Sequence, residues 1–228
     1  MQTSELMEIV MKAGEIMLTS GAEIYRVEET IVRICKSYNI QSESFVLPTG
    51  IFISIKDSNG VVQTAFKRIK LRTYDLNKID KINTFSRSLS KDLPDFETAL
   101  GILSGIEKSG GYALPARLLS AAAGSYVFTV LFQGTFYDGI AAAFIGTMVY
   151  LLKDLLSRKG FFQFFELFVA GMAAGFLSIS AVTLFPGLNE YKIIIGSVVL
   201  LLPGMAITNG IKDALYGDLV ASFTRLGE

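Results

Sequence analysis

The 228-residue sequence contains no histidine. That absence removes the side chain that most often serves as general base, as zinc ligand and as partner of a serine or cysteine nucleophile. Proton chemistry falls to carboxylates, lysines and tyrosines. The single cysteine, Cys35, excludes an internal disulfide. It stands on what reads as the apolar side of a helix, which favours a small buried hydrophobe over a nucleophile. Net charge is absent too, with 21 basic and 21 acidic side chains, and neither half of the chain has the basic excess of a nucleic-acid binder. There is no phosphate-cradling glycine loop and no dinucleotide fingerprint, and no cofactor or metal is expected. Met1 to Ser20 contains Glu5, Glu8, Lys12 and Glu15 and no apolar run, so it reads as neither a secretory signal nor a first span.

What is abundant is apolar sequence. Four uncharged stretches, Leu118 to Tyr137, Gly139 to Leu152, Leu167 to Asn189 and Ile193 to Ile211, fill the second half of the chain. A bilayer core takes roughly 20 apolar residues as a helix, and three of the four reach that length, while the second borrows from its flanks. Because the bilayer offers backbone amides no water, each stretch has to be helical. The expected fold is an α+β cytosolic head over 1–112 followed by an all-α transmembrane helix bundle over 113–228, with about four spans. Arg117, Lys153, Arg158, Lys159, Lys212 and Arg225 gather at one set of span ends, whereas the other connections are free of basic residues until Lys192. Positive residues mark the cytoplasmic side, so the head and the C-terminal end are both expected there, in a multi-pass protein of the cell membrane.

In the head, Leu6, Ile9, Val10, Ala13, Ile16 and Met17 recur at helical spacing between Thr3 and Thr19, and Ser20 with Gly21 breaks the pattern. A second helix is expected over about Ala22 to Tyr38, with Ile24, Val27, Ile31, Ile34 and Tyr38 on one arc. Glu23 and Thr30 border that arc on one side and Glu28 on the other, and Arg26 lies within reach of Glu23 at i, i+3. Carboxylates flanking an apolar face are candidates for a site; a solvated helix edge with intrahelical ion pairs is the competing reading. Glu43 to Leu47, Ile51 to Ile55 and Val61 to Phe66 read as antiparallel strands joined by turns at Pro48-Thr49-Gly50 and Asp57-Ser58-Asn59-Gly60. Helices are expected again over Asp75 to Leu89 and Pro94 to Lys108, the latter with its proline in the first turn. Gly110 and Gly111 make a hinge.

Ionisable residues at membrane depth are sparse. Asp138 opens the second span and Glu166 the third, and both read as boundary residues. Small residues at Ala121 to Ser125 and at Gly171, Ala173, Ala174 and Gly175 read as helix packing. Pro203 and Gly204 interrupt the fourth stretch, and Asn209, Asp213 and Asp218 follow. Two readings stand side by side: a broken helix whose polar residues line a vestibule or take up protons, or a proline kink leading into an interfacial helix.

Three ordered motifs carry a resemblance: Gly21-Ala22-Glu23-Ile24-Tyr25-Arg26-Val27-Glu28-Glu29-Thr30, Leu47-Pro48-Thr49-Gly50-Ile51, and Pro203-Gly204 followed by Asn209-Gly210, Asp213 and Gly217-Asp218. Together they resemble the threonine/serine exporter (ThrE) family, and within it the YjjP-like half of the split form. The resemblance covers nearly the whole chain. It implies proton-driven export of threonine and serine or of a dicarboxylate such as succinate, with a small YjjB-like membrane subunit as partner; a homo-oligomer stays open. It assigns Glu23, Arg26, Glu28 and Thr30 to substrate handling or regulation, and Pro203, Gly204, Asn209, Asp213 and Asp218 to transport. It also implies a further hydrophobic span after Asp218, of which this sequence carries only Leu219 to Leu226. Two other functions fit the same residues: a membrane-tethered hydrolase using Glu23 or Glu28 as base with Arg26 as anion clamp, or a cytosolic ligand sensor that gates a pore. No catalytic residue is assigned.

Overall fold

A computed structural model of the chain describes residues 2–57, 60–70 and 73–227. It divides into two compact units, Met1–Gly111 together with Gly204–Glu228, and Tyr112–Pro203.

The first unit opens with α1 (Thr3–Thr19) and α2 (Ile24–Ser37), passes through β1 (Gln41–Leu47), β2 (Gly50–Lys56) and β3 (Val62–Arg68), and continues with α3 (Leu76–Ser88) and α4 (Phe96–Lys108). The strands form an antiparallel meander in the order β1-β2-β3. Leu47 pairs with Gly50, leaving Pro48 and Thr49 as the turn. Of the second expected turn, Ser58 and Asn59 lie outside the described residues. Every apolar position expected on α1 is buried, and it packs with Ile24, Val27, Ile31 and Ile34 of α2 and with Ile51, Ile53 and Ile55 of β2. Each such side chain contributes about 1.5 to 3 kcal/mol of apolar burial, so this layer holds the unit together. α4 starts two residues after Pro94 because the Asp95 carboxylate accepts the Thr98 N–H at 3.0 Å and caps the helix there. Cys35 is fully buried, as its apolar setting implied.

The second unit is helical among the described residues: α5 (Leu114–Leu131), α6 (Phe136–Arg158), α7 (Gln163–Leu184) and α8 (Glu190–Val198), closed by a 3-10 turn over Val199–Leu201. α5, α6 and α7 are each long and apolar enough to cross a membrane, and a fourth crossing arises only if the bent pair Glu190–Leu201 and Gly204–Leu215 counts as one. Its core is Ala142, Ile145 and Val149 against Ala170, Ala174 and Ile193. Glycine sets the closest approaches: a Cβ on Gly146 would collide with Ser125 Oγ, and one on Gly196 with Thr129 Oγ1. Asp138 lies in the first turn of α6, where its carboxylate accepts the Thr135 N–H and the Asn189 N–H, both within 2.8 Å. Glu166 likewise lies in the first turn of α7.

Leu202 is extended, as a residue before proline should be, and the helix restarts beyond Pro203 as α9 (Gly204–Leu215), followed by α10 (Leu219–Leu226). The sequence grouped residues 204–228 with the spans; they pack in the first unit, because α9 and α10 supply the donors and acceptors that the turn between α1 and α2 requires.

Candidate functional site

The α1–α2 turn is where the first and third motifs meet. Gly21 follows the last residues of α1 with φ +83°. Its N–H donates to Leu18 O at 3.1 Å, and Ala22 N–H donates to Met17 O at 3.0 Å. That pair of bonds is a Schellman cap, and the left-handed residue within it favours glycine. A Cβ at Gly21 would also fall 2.6 Å from the Tyr74 ring. The cap leaves the carbonyls of Gly21 and Ala22 and the first N–H of α2 without helical partners, and all three find partners about 190 residues along the chain. Asn209 Nδ2 donates to Gly21 O at 2.8 Å, Arg225 Nη2 donates to Ala22 O at 2.6 Å, and Asp213 Oδ1 accepts the Ile24 N–H at 3.1 Å.

Asp213 thus caps α2 from another helix, with its charge at the positive end of the α2 dipole. Its second oxygen takes the Arg225 Nε at 2.8 Å, and both side chains are at most 1% exposed. No helix edge facing solvent is involved. Asn209 and Asp213, four residues apart, present one face of α9 to this turn, and both are buried.

Glu23 is the residue before α2 and is 5% exposed, more enclosed than a helix border suggests. Its Oε1 accepts Lys212 Nζ at 2.8 Å and its Oε2 accepts Arg26 Nη1 at 3.4 Å. Burial pushes the Glu23 carboxyl up, but the Lys212 hydrogen bond, a backbone hydrogen bond and the charges of Lys212 and Arg26 together bring it below its ordinary value. The Tyr25 and Tyr216 rings stack beside it with centroids 3.9 Å apart.

The remaining candidates lie along α2. Glu28 Oε1 accepts the Val46 N–H at 2.9 Å and so occupies the free edge of β1. Burial raises the Glu28 carboxyl, the Val46 N–H counters this, and the negative charge of Asp218 adds to the rise. Thr30 is buried and donates to Arg26 O at 2.8 Å within its own helix. Asp218 stands before α10, where its N–H donates to Asp213 O at 2.8 Å and its own carbonyl accepts the Ser222 N–H at 2.9 Å. Gly217 supplies the left-handed step, φ +92°, that turns α9 into α10. Pro203 and Gly204 mark only the start of α9, and the second motif builds the β1–β2 turn away from this cluster, where a Cβ on Gly50 would meet the Phe66 ring at 2.9 Å.

From sequence Lys212 and Arg225 counted only as basic residues marking the cytoplasmic side, and Tyr216 was not singled out. A signal existed: Lys212 and Arg225 are the basic residues between Ile193 and the end of the chain, beside Asp213 and Asp218. Apolar-rich segments seldom hold unpaired charges.

Comparison with known proteins agrees with the motif resemblance. Residues 8–228 match a family described as "Putative threonine/serine exporter". A "Probable threonine/serine exporter" of Mycobacterium tuberculosis is 22% identical over 233 residues, covering 100% of this chain and 44% of the relative. A "Threonine/serine exporter" of Corynebacterium glutamicum is 22% identical over 235 residues, covering 100% of this chain and 48% of the relative. The chain therefore spans about half the length of both relatives. No solved structure matches it.

Proposed function

Because the chain belongs to the threonine/serine exporter family, we propose that it is one subunit of a proton-driven exporter of small polar metabolites, threonine and serine or a dicarboxylate such as succinate. The observation that carries the reading is the family match over residues 8–228 on a membrane protein with three helices long and apolar enough to span. In this reading the first unit is the cytosolic head and the second the transmembrane bundle. Arg117, Lys153, Arg158 and Lys159, at one set of helix ends, mark the cytoplasmic side. A small membrane partner that supplies the rest of the transporter belongs to this reading, as the resemblance to the split form implies.

The polar cluster at the α1–α2 turn serves this function as a latch that fixes α9 and α10 to α2. A hydrolytic role for Glu23 is disfavoured by its geometry, since a general base needs a free lone pair and a raised pKa, whereas Glu23 is held by two cations and shifted down. A sensor role for the Glu23 and Arg26 pair meets the same obstacle, because the two groups already neutralise each other.

The test is efflux of labelled threonine, serine and succinate from cells expressing this chain with and without the candidate partner, with an uncoupler as control. Uncoupler-sensitive efflux that needs both chains is the expected result. No efflux of any of the three, with both chains in the membrane, overturns the reading.

A further inference from the structure

We propose that α9 and α10 lie along the surface of the bilayer, with their outward faces in the boundary between hydrocarbon and headgroups, so that the first unit rests on lipid through this helix pair. The inference needs the chain to be a membrane protein and does not depend on what is exported.

Both helices are amphipathic in the reverse of the sense that water selects. At 100° per residue, Ile207, Ile211 and Leu215 fall within an arc of about 80° on α9, and Asn209, Gly210 and Asp213 lie on the other side of the helix. The three apolar residues are exposed and the other three are buried. α10 repeats the inversion, with Leu219, Phe223 and Leu226 outward and Ala221, Ser222 and Arg225 buried. Leu215 is 80% exposed and Phe223 75%. A helix on the surface of a soluble protein turns its polar face to solvent. Here the polar face is taken up by the α1–α2 turn, through the bonds of Asn209, Asp213 and Arg225, and what remains outside is a contiguous apolar patch.

The rim of that patch favours lipid as its occupant. Among the described residues from Gly204 to Leu226, Lys212 is the only exposed charged side chain. It stands just past the apolar arc, where its ammonium meets Glu23 at 2.8 Å, and Tyr216 follows next around the helix with its ring stacked on Tyr25. The order around α9 is therefore aliphatic stripe, lysine, tyrosine, buried polar face. An interfacial helix has this order, because the amine and the phenol sit at headgroup level while the aliphatic side chains enter the acyl boundary. Length gives the orientation. Twelve residues make α9 about 18 Å long and eight make α10 about 12 Å, both short of a hydrocarbon core of roughly 30 Å, so each lies along the membrane and does not cross it. Lipid is also within reach, since the chain enters α9 directly from the unit that carries the three long apolar helices. The latch at the α1–α2 turn is then bonded on one side of α9 with lipid on the other.

The experiment places an environment-sensitive fluorophore on the full chain in phosphatidylcholine nanodiscs, at I211C, at F223C and at E97C on the exposed face of α4, each with C35A. Quenchers are a nitroxide on the lipid acyl chain and aqueous iodide. The labels at 211 and 223 are expected to be quenched about threefold or more by the acyl-chain nitroxide relative to the label at 97, and to be shielded from iodide by a similar factor. Iodide quenching at 211 and 223 equal to that at 97 puts the face in water and overturns the proposal. Shielding from both quenchers means that protein covers the face and overturns it as well. The unaltered chain gives a second reading that needs no substitution: a phospholipid with a diazirine on its acyl chain should form adducts on residues 204–226 as well as on α5, α6 and α7. Adducts confined to those three helices overturn the proposal and leave the export reading standing, which the efflux assay tests separately.

Discussion

Breaking the buried pair between Asp213 and Arg225 should open the first unit. D213N keeps an oxygen for the Ile24 N–H but removes the charge that faces Arg225, which is 1% exposed and has no water to turn to. Removing one partner of a buried pair costs about 3 to 5 kcal/mol, because the other charge stays buried and unpaired. For a unit of this size that corresponds to a midpoint drop of roughly 10 to 20 °C. R225M should cost a similar amount, whereas D213N/R225M should cost less than the sum of the two, the cycle returning a coupling of about 1 to 3 kcal/mol. The chain carries its own reporter, since the single thiol of Cys35 is fully buried in the core of this unit. A thiol-reactive fluorogenic dye added during heating of the nanodisc-embedded chain therefore reads the opening of the first unit. Additive single and double variants, or a midpoint unmoved by D213N, would refute a mutually dependent buried pair.

Three further outcomes follow from the same geometry. R225K should behave nearly as R225M in the dye assay, because a lysine cannot reach Asp213 and the Ala22 carbonyl together; retention of the midpoint would mean the fork is dispensable. G21A should destabilise by about 1 to 2 kcal/mol from left-handed strain, and more from the Tyr74 contact, as read by urea denaturation. Glu28 and Glu23 should give opposite pH responses. Glu28 is raised above 4.5, so its contribution is fully present below pH 4.5 and is lost as pH rises through the folded value, and E28Q should flatten that fall. Glu23 is lowered below 4.5, so its contribution is present above pH 4.5 and is lost as pH falls through the folded value; K212M should remove that acid sensitivity. Midpoint against pH for the unaltered chain and both variants checks each sign.

What could be seen in the sequence was what depends on neighbours in the chain. Period-3.6 spacing fixed α1 and α2 within two residues, and alternation with turn residues fixed the three strands. The start of α4 was missed because Asp95, a residue with its own capping carboxylate, competes with Pro94 for the first turn. Glu23 illustrates the harder failure. From sequence it borders a helix face beside Arg26, and that ion pair exists at 3.4 Å, but the shorter bond is to Lys212, 189 residues away. No periodicity encodes a contact at that separation. Arg225 was hidden for the same reason: from sequence it counted as a basic residue beyond the last span, and only the fold shows it buried against the α1–α2 turn.

The separation itself constrains how the molecule works. The second unit is inserted between two segments of the first, leaving it at Gly111 and returning at Gly204. Both ends of the helical unit are therefore covalently continuous with one folded body, and just beyond the second end α9 is held at the α1–α2 turn by side-chain bonds. That attachment is made of few, directional bonds: the Asn209 amide, the Asp213 carboxylate and the Arg225 guanidinium against a single turn, with Lys212 on Glu23 at its rim. Bonds of this kind are either made or broken over a small displacement, unlike an apolar face that can slide. Release of α9 and α10 together would carry the Asp213–Arg225 pair with them and leave the Gly21 and Ala22 carbonyls and the Ile24 N–H without these partners. The motif residues Gly21, Glu23, Asn209 and Asp213 are the ones whose bonds make this attachment.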